Sequence, residues 1–293
     1  MKLFLFIFIF SLINFLYIKI WNKFSNKVPT GIGILLTIPF FFYLEKNFNF
    51  FSVCFILVFT IVYFLDDLIE INFLWRILLQ ILVSFVIYFS FNTDIILINI
   101  FVNLVIFLIL VNTLNFQDGE DLNIALLLIL IFGNFYFNSE YELTKYTSEF
   151  VLIFLISFSF FNFKKKFLYF GDSSCYFISI IIFLFAHSEL QNAVLIKTLI
   201  AIITYPIVDV FYVIAYRIFK KENLLTRNYL HFYQIIARKK NLKLYLLPNI
   251  LFASFNIFIS QYFSLGIHFI IFLVITNTVI LIVAHQSIQK LAN

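Results

Sequence analysis

Residues 95–111 read IILINIFVNLVIFLILV, and residues 112–121 continue as NTLNFQDGED. The first stretch is apolar except for Asn99 and Asn103 and has no charged side chain, which is typical of a helix that crosses a bilayer. The second stretch is polar and ends in a group of acids. Acidic side chains are costly next to hydrocarbon, so their position at the end of an apolar run marks a candidate functional site. This pairing predicts both the fold class and the location of the functional residues.

The composition of the whole chain extends this pattern. Of 293 residues, 63% are hydrophobic and 12% are charged, and the mean hydropathy is +1.04, a balance that soluble globular domains do not have. We therefore predict an all-α, polytopic transmembrane bundle of about 10–11 helices that forms a single membrane domain over residues 1–293. The predicted spans are 3–20, 31–44, 50–65, 73–91, 95–111, 122–137, 149–162, 173–187, 193–216, 244–262 and 265–285.

The distribution of lysine and arginine predicts the orientation. If the N-terminus lies outside, sixteen of the 20 basic residues fall on the inner face and four on the outer face. Cytoplasmic loops retain positive charge, so this split favours an outside N-terminus. It also puts the acidic loop ends and the basic segment 217–243 on the cytoplasmic side. The expected location is the bacterial inner membrane, with the active site facing the cytoplasm.

Two adjacent carboxylates, Asp66 and Asp67, lie at the inner end of the third span. One of them could hold a cation or accept a proton while the other fixes the geometry. A solvated loop is the alternative interpretation of this dipeptide.

Four polar residues recur at every third position in the stretch NTLNFQDGED: Asn112, Asn115, Asp118 and Asp121. Such residues project from one side of a helix end and of the turn that follows it. They could bind a nucleobase or ribose, or supply oxygen ligands to Mg²⁺. The alternative is a polar turn that caps the next helix.

A third motif, Gly171-Asp172-Ser173-Ser174, precedes the eighth span and follows three lysines that include Lys166. A helix start with nearby cations suits a phosphate, and a carboxylate there suits a metal ion that bridges to phosphate. Alternatively, Asp172 only caps the helix. The lysines could equally serve only to set the topology.

Two further polar positions follow along the chain. Asp209 lies inside the ninth span, three residues after Pro206, where it is either a functional acid or a buried group that stabilises a proline kink. In the basic inner loop, Arg227 could bind a phosphate through two hydrogen bonds, and His231 could donate a hydrogen bond or transfer a proton.

Taken in order, these motifs resemble the polyprenyl-phosphate N-acetylhexosamine-1-phosphate transferases of glycosyltransferase family 4, which include the muramoyl-pentapeptide and GlcNAc-1-phosphate transferases. The likeness runs from Pro29 to His231 and covers the PTGIG turn at residues 29–33, Asp66-Asp67, the NxxNxxDGxD stretch, the GDS motif, the PxxD motif at residues 206–209 and the Arg/His loop. The resemblance implies Mg²⁺-dependent transfer (with Mn²⁺ as a substitute) of a sugar-1-phosphate from a UDP-N-acetylhexosamine to undecaprenyl phosphate. UMP is released, and the product starts synthesis of a cell-envelope or surface polysaccharide such as O-antigen.

The resemblance also implies roles for individual residues. Asn115 and Asp172 are similar to the metal-binding positions, and Asp66 and Asp67 to the acids near the lipid phosphate. The expected catalytic residues are Asp66, Asp67, Asp172 and His231. The expected substrate-binding residues are Asn112, Asn115, Asp118, Asp121, Lys166 and Arg227. The expected partners are the UDP-sugar, the polyprenyl phosphate and the membrane, without nucleic acid, and the resemblance allows a homodimer.

The chain departs from the family pattern in two loops. Family members usually carry DGxDGL, whereas residues 118–123 read DGEDLN and lack the second glycine. The loop that is usually rich in histidine has the single His231, flanked by Tyr229 and Phe232. These departures leave two alternatives beside the transferase: an ion- or proton-coupled transporter that uses intramembrane acids, and a catalytically silent relative of the transferases.

Overall fold

The structure of the protein, a computed structural model, describes residues 2–25, 27–47, 50–69, 71–91, 96–163, 167–224, 229–239 and 243–290. Of the described residues, 84% are helical and none lies in a β-strand. Among them are eight helices that are long and apolar enough to cross a membrane. The predicted fold class, a polytopic all-α membrane protein, is thereby confirmed.

The described residues form twelve α-helices and two short 3-10 helices. The α-helices are α1 Lys2–Phe24, α2 Thr37–Asn47, α3 Phe50–Ile69, α4 Phe73–Phe91, α5 Leu97–Gln117, α6 Asn123–Asn138, α7 Glu142–Asn162, α8 Asp172–Ser188, α9 Ala193–Phe219, α10 Phe232–Lys239, α11 Leu247–Ser260 and α12 Ile267–Lys290. The 3-10 helices, Ile32–Leu36 and Lys243–Leu246, precede α2 and α11. Each of the eleven predicted spans overlaps one of these helices, although α2, α6 and α8 are not among the eight helices that are long and apolar enough to cross a membrane. Helix α10 lies in the basic loop, where no helix was expected.

Several helices extend beyond the apolar runs that predicted them, and two of these extensions carry motif residues. Helix α3 continues to Ile69 instead of ending at residue 65, and α5 continues to Gln117 instead of ending at residue 111. Neither extension contains glycine or proline, so nothing in the backbone stops the helix where the apolar run ends. The Asp66-Asp67 pair and the two asparagines of the NxxNxxDGxD stretch therefore lie in the last turns of helices.

The chain divides into two compact units, one through Leu190 and one from Gln191. In the first unit, α8 packs against α3, α5 and the 3-10 helix Ile32–Leu36, and α6 and α1 pack against α7. In the second unit, α11 and α12 pack against α9. The expectation of a single membrane domain stays a prediction.

Helix α8 is the core of the first unit. It has 17 residues, fewer than the roughly 20 that a lipid-facing span needs, and every residue from Ser173 to Phe185 is buried. Because other helices surround it, its length need not match the bilayer. The ring of Phe185 lies 4.9 Å from that of Tyr43 and 5.2 Å from that of Phe135, measured between centroids in edge-to-face contacts.

Truncation of this core should destabilise the protein. We expect Phe185→Ala to lower the free energy of unfolding by about 3–5 kcal/mol because it leaves a cavity among aromatic rings. Thermal unfolding in detergent measures the change. The control is Phe160→Ala, because the Phe160 side chain is 69% exposed on α7, and its melting temperature should match that of the wild type. Equal losses in the two variants would contradict the assignment of α8 as the core.

Candidate active site at the start of helix α8

Two backbone segments pair directly before α8. The amide of Gly31 donates to the carbonyl of Phe170 at 3.0 Å, and the amide of Tyr169 donates to the carbonyl of Pro29 at 2.8 Å. Gly31 and Gly171 have φ values of 75° and 88°, which side-chain-bearing residues rarely adopt. A Cβ on Gly171 would collide with the amide of Gly31 and the hydroxyl of Thr30. The two glycines thus let the PTGIG turn approach the GDS motif.

Asp67 caps α8 from a different helix. One carboxylate oxygen accepts the amide of Asp172 at 3.0 Å, and the other accepts the amide and the hydroxyl of Ser173 at 3.2 and 2.5 Å. Asp172 itself makes no capping hydrogen bond, since the N-cap position is Gly171. The first amides of a helix lack partners inside the helix and attract negative charge. In this structure Asp67 occupies two amides that the sequence predicted to be available to a phosphate.

The carboxyl of Asp118 joins the same helix start from the end of α5. Its Oδ2 accepts the amide of Gly171 at 2.8 Å. Burial, together with the nearby charges of Asp172, Asp67 and Asp121, raises the pKa of Asp118 to about 8, and the hydrogen bond from the Gly171 amide acts in the opposite direction. A cation placed beside such a carboxyl stabilises its ionised form.

Arg76, in the first turn of α4, links two of the acids. Its Nε lies 2.8 Å from Oδ2 of Asp66 and its Nη1 lies 2.9 Å from Oδ2 of Asp172. Asp66 also accepts the amide of Ile71 at 2.5 Å. Asp66 is buried, whereas 34% of the Asp172 side chain is exposed. The guanidinium therefore partly neutralises the cluster and ties the α3–α4 turn to the start of α8.

The two asparagines of α5 differ in their surroundings. Asn112 donates to the side chain of Gln80 at 3.2 Å and to the carbonyl of Leu108 at 2.8 Å, so its amide holds α5 against α4. The side chain of Asn115 is half-buried and forms no hydrogen bond with the described residues. Asn115 thus has an amide oxygen to offer a ligand, whereas Asn112 is engaged in packing.

The position of the missing second glycine in the DGxDGL pattern keeps a backbone conformation that is typical of glycine. Leu122 stands at that position with φ 64°, in the left-handed region, a conformation that costs a side-chain-bearing residue about 1–2 kcal/mol. Its amide donates to Oδ1 of Asn162 at 2.6 Å, and Asn162 donates to the carbonyl of Leu168 at 2.8 Å. The loop keeps a glycine-type conformation without the glycine, held by hydrogen bonds to Asn162.

The second unit holds another of the predicted residues. His231, which precedes α10, is buried, and its Nδ1 lies 2.9 Å from Oδ2 of Asp209 on α9. Lys166 and Arg227, both predicted to bind substrate, lie outside the described residues.

Asp66, Asp67, Asp118 and Asp172 thus converge on one helix start, and Asp121 acts on Asp118 through its charge. Arg76 is the residue that the sequence analysis missed, because it was counted only as a topology charge. A signal was present, since Arg76 is the single charged residue between Glu70 and Asp94.

The oxygen atoms of this cluster fit a hard divalent cation. No three His, Cys, Asp or Glu side chains among the described residues are arranged to hold a metal by themselves. Mg²⁺ is usually bound by one or two carboxylates, with water and substrate phosphates completing its shell. Asp118, Asp172 and Asn115 each have a side-chain oxygen without a hydrogen bond to the described residues. These three residues could hold the ion.

Comparison with known proteins adds one match. A family model described as Glycosyl transferase family 4 matches residues 49–188, a range that contains α3 to α8 and all four converging aspartates. No curated protein matches the chain.

The close approach at Gly31 can be tested by adding a methyl group. A Cβ there would lie 2.7 Å from Oδ2 of Asp67 and 2.8 Å from the hydroxyl of Ser173, and the positive φ adds strain. We expect Gly31→Ala to lower both the melting temperature and any catalytic activity. Gly133→Ala in α6 is the matched control, because its Cβ would meet nothing within 4 Å. If Gly31→Ala behaves like Gly133→Ala, the cap geometry is wrong.

Because the pKa of Asp118 is raised, replacing its carboxyl by a neutral group should stabilise the fold, and more so at higher pH. An acid whose folded pKa, about 8, exceeds its unfolded value destabilises the fold increasingly as pH rises from about 4 to 8. Asp118→Asn removes that charge and can still accept the Gly171 amide. Without divalent cations, its melting temperature should exceed that of the wild type by more at pH 8 than at pH 5. A difference that does not grow with pH would contradict the shift.

Proposed function

Because the chain belongs to glycosyl transferase family 4 through residues 49–188, we propose that it transfers N-acetylhexosamine-1-phosphate from a UDP-sugar to undecaprenyl phosphate. An oxygen of the lipid phosphate attacks the sugar-bearing phosphorus of the UDP-sugar. The bond from that phosphorus to the UMP oxygen breaks, which gives a polyprenyl-diphosphate sugar and UMP. The product would start a cell-envelope or surface polysaccharide.

The family supports the general part of this reaction. Its membership indicates a polyprenyl-phosphate sugar-phosphate transferase, and the apolar helices agree with a multi-pass membrane protein that takes a lipid-phosphate acceptor. The identity of the sugar nucleotide, the cytoplasmic orientation and the bacterial inner membrane are parts of the proposal.

The observation that carries the proposal is the convergence of Asp67, Asp118, Asp172 and Arg76 at the start of α8. Phosphoryl transfer needs little covalent chemistry from the protein, because catalysis depends on positioning and on neutralising the phosphate charge. In this site a guanidinium lies next to acids that backbone amides hold at fixed positions, and a cation could bind beside them. Such an arrangement suits two phosphate groups that must approach each other.

The Mg²⁺ site would be formed by Asp118, Asp172 and Asn115. When bound, the ion would neutralise phosphate charge in the transfer. The chain's own residues prepare the site: Asp67 fixes the start of α8, and Arg76 holds the Asp172 carboxylate through a 2.9 Å contact. Arg76 also supplies positive charge that can shift toward a substrate phosphate.

The contacts of the acid pair support direct attack by the lipid phosphate. Asp66 is bound to Arg76 and to the Ile71 amide, and Asp67 accepts three hydrogen bonds from Asp172 and Ser173. A carboxylate whose lone pairs are bound to donors is a weak nucleophile. Both acids therefore suit an organising role better than a covalent one.

The proposal predicts a specific requirement for the Asp172 charge. Purified protein with UDP-N-acetylglucosamine, undecaprenyl phosphate and Mg²⁺ should release UMP and form a lipid-soluble labelled product. Asp172→Asn keeps an acceptor for Arg76 but loses the charge, so UMP release should fall by about 10²–10³-fold. Glu149→Gln, which alters an exposed acid on α7, should retain wild-type turnover.

The outcomes separate the alternatives. Retention of most activity in Asp172→Asn would remove the assignment of Asp172 to the metal. Binding of the nucleotide sugar by the wild type without turnover would indicate a catalytically silent relative.

A further inference from the structure

The last residue of α7 links two segments of the site in the first unit. Asn162 is 2% exposed. Its Oδ1 accepts the amide of Leu122 at 2.6 Å, and its Nδ2 donates to the carbonyl of Leu168 at 2.8 Å. Leu122 ends the turn that begins with Asp118, and Leu168 lies three residues before Gly171. One buried side chain thus holds both segments that bring carboxyls to the start of α8.

The partners of this amide determine its orientation. A backbone N–H group can only donate and a backbone carbonyl can only accept. The side-chain oxygen of Asn162 must therefore face Leu122, and its NH₂ group must face Leu168. Alanine can make neither contact, and an ionised aspartate has no hydrogen to donate. The position requires an acceptor and a donor on the same side chain.

The hydrogen bonds close a ring across the site. From Asn162 the ring passes to Leu122 and along the turn to Asp118, whose Oδ2 accepts the amide of Gly171 at 2.8 Å. The chain from Gly171 back to Leu168 then returns to Asn162. Because networks of this kind restrain all their members together, removal of Asn162 loosens the position of Asp118 relative to the segment that leads into the GDS motif.

The end of α7 gives these contacts a fixed support. One turn before Asn162, the ring of Phe158 lies 5.4 Å from that of Phe170 in an edge-to-face contact. Both rings are fully buried, and such aromatic pairs stabilise beyond the area they bury. This contact ties α7 to the segment before α8 independently of the hydrogen bonds of Asn162.

Leu122 is the strained point of the ring. It has φ 64° where the family pattern has glycine, a conformation that is unfavourable for a residue with a Cβ. The next residue is held from α5, since Asn123 donates to the side chain and to the carbonyl of Gln117 at 2.8 and 3.0 Å. The hydrogen bond to Asn162 helps to keep Leu122 in a conformation that glycine would adopt without strain.

We propose that Asn162 is a positioning residue for the divalent cation: it compensates for the absent glycine and sets where the carboxyl of Asp118 stands relative to Asp172. This inference rests on the proposed function, in which Asp118, Asp172 and Asn115 hold the ion. Residues that orient the ligands of a metal without touching it change its affinity by about 10–100-fold when they are replaced. Asn162 contacts neither the ion nor the substrates in this role.

Restoring the family glycine distinguishes this role from a general contribution to stability. The experiment compares the full-length wild type, Asn162→Ala, Leu122→Gly and the variant with both substitutions. Electron paramagnetic resonance measures Mn²⁺ affinity, UMP release measures turnover, and thermal unfolding without metal measures stability. The matched control for the glycine is Leu122→Ala combined with Asn162→Ala, because alanine also shortens the side chain but keeps the Cβ.

A second control tests loss of a buried asparagine elsewhere in the first unit. Asn134 is buried near the other end of α6, where it accepts a hydrogen bond from Asn138 at 2.8 Å. Asn134→Ala should lower the melting temperature and leave the Mn²⁺ affinity unchanged.

The expected result is a loss of affinity that the glycine repairs. Asn162→Ala binds Mn²⁺ about 10–100-fold more weakly than the wild type, and its kcat falls. Leu122→Gly binds Mn²⁺ as the wild type does. In the double variant with glycine most of the lost affinity returns, because the turn no longer needs support. The double variant with alanine shows no such recovery.

Two results would overturn the inference: wild-type Mn²⁺ affinity in Asn162→Ala, and an equal loss of affinity from Asn162→Ala in the presence and absence of Leu122→Gly. If Asn162→Ala does not fold, Asn162→Asp replaces it, since aspartate keeps the acceptor for Leu122 and loses only the donor to Leu168. Its added negative charge alone would tighten Mn²⁺ binding. Weaker binding in Asn162→Asp therefore supports the positioning role, and tighter binding rejects it.

Failure of the proposed function gives a different result. A wild type that binds Mn²⁺ but releases no UMP rejects the proposed transfer, while the comparison of Mn²⁺ affinities still tests Asn162. A wild type that releases UMP without binding Mn²⁺ keeps the transfer and rejects the role of Asn162.

Discussion

The hydrogen bonds that the first amides of α8 donate to the carboxylate of Asp67 are the interaction on which the first unit depends. They join the end of α3 to the start of the buried central helix, and they bring Asp172 next to Arg76 and Gly171 next to Asp118. The carboxylate complements the positive end of the helix dipole, as an acid does at any helix N-terminus. Here it comes from more than a hundred residues away in the chain, since 105 positions separate it from Asp172. The cap therefore fixes tertiary structure and site geometry together.

The acids around this cap repel one another. Asp118, Asp67 and Asp172 are near enough for their charges to act on each other, and Arg76 is the cation that balances part of the cluster. Such repulsion lowers stability when no cation lies beside the acids, and a divalent cation bound there would relieve it. The buried acid of the second unit is different, because each oxygen of Asp209 has a hydrogen-bond partner, one in His231 and one in Phe232.

Much of the fold could be predicted because it depends on apolar runs, which the sequence shows directly. The eleven predicted spans each overlap a helix, eight of the helices in the described residues are long and apolar enough to cross a membrane, and the aspartates of three motifs meet at one helix start. Hydropathy could not predict how far α3 and α5 continue into polar sequence, nor the short helix α10. The tertiary cap by Asp67 and the bridge by Arg76 join residues far apart in sequence, so local patterns did not reveal them. The left-handed conformation of Leu122 could not be predicted for a similar reason, because the residue that accepts its amide hydrogen bond, Asn162, is 40 positions away in the sequence.

We propose that the acids at the start of α8 bind one divalent cation. Electron paramagnetic resonance can test this binding with Mn²⁺ and the detergent-solubilised protein, because the signal of free Mn²⁺ decreases when the ion binds. We expect one Mn²⁺ site per chain, from which Mg²⁺ displaces the Mn²⁺. Binding at this site should weaken strongly in Asp172→Asn and stay unchanged in Glu149→Gln. Equal Mn²⁺ binding by the wild type and Asp172→Asn would contradict it.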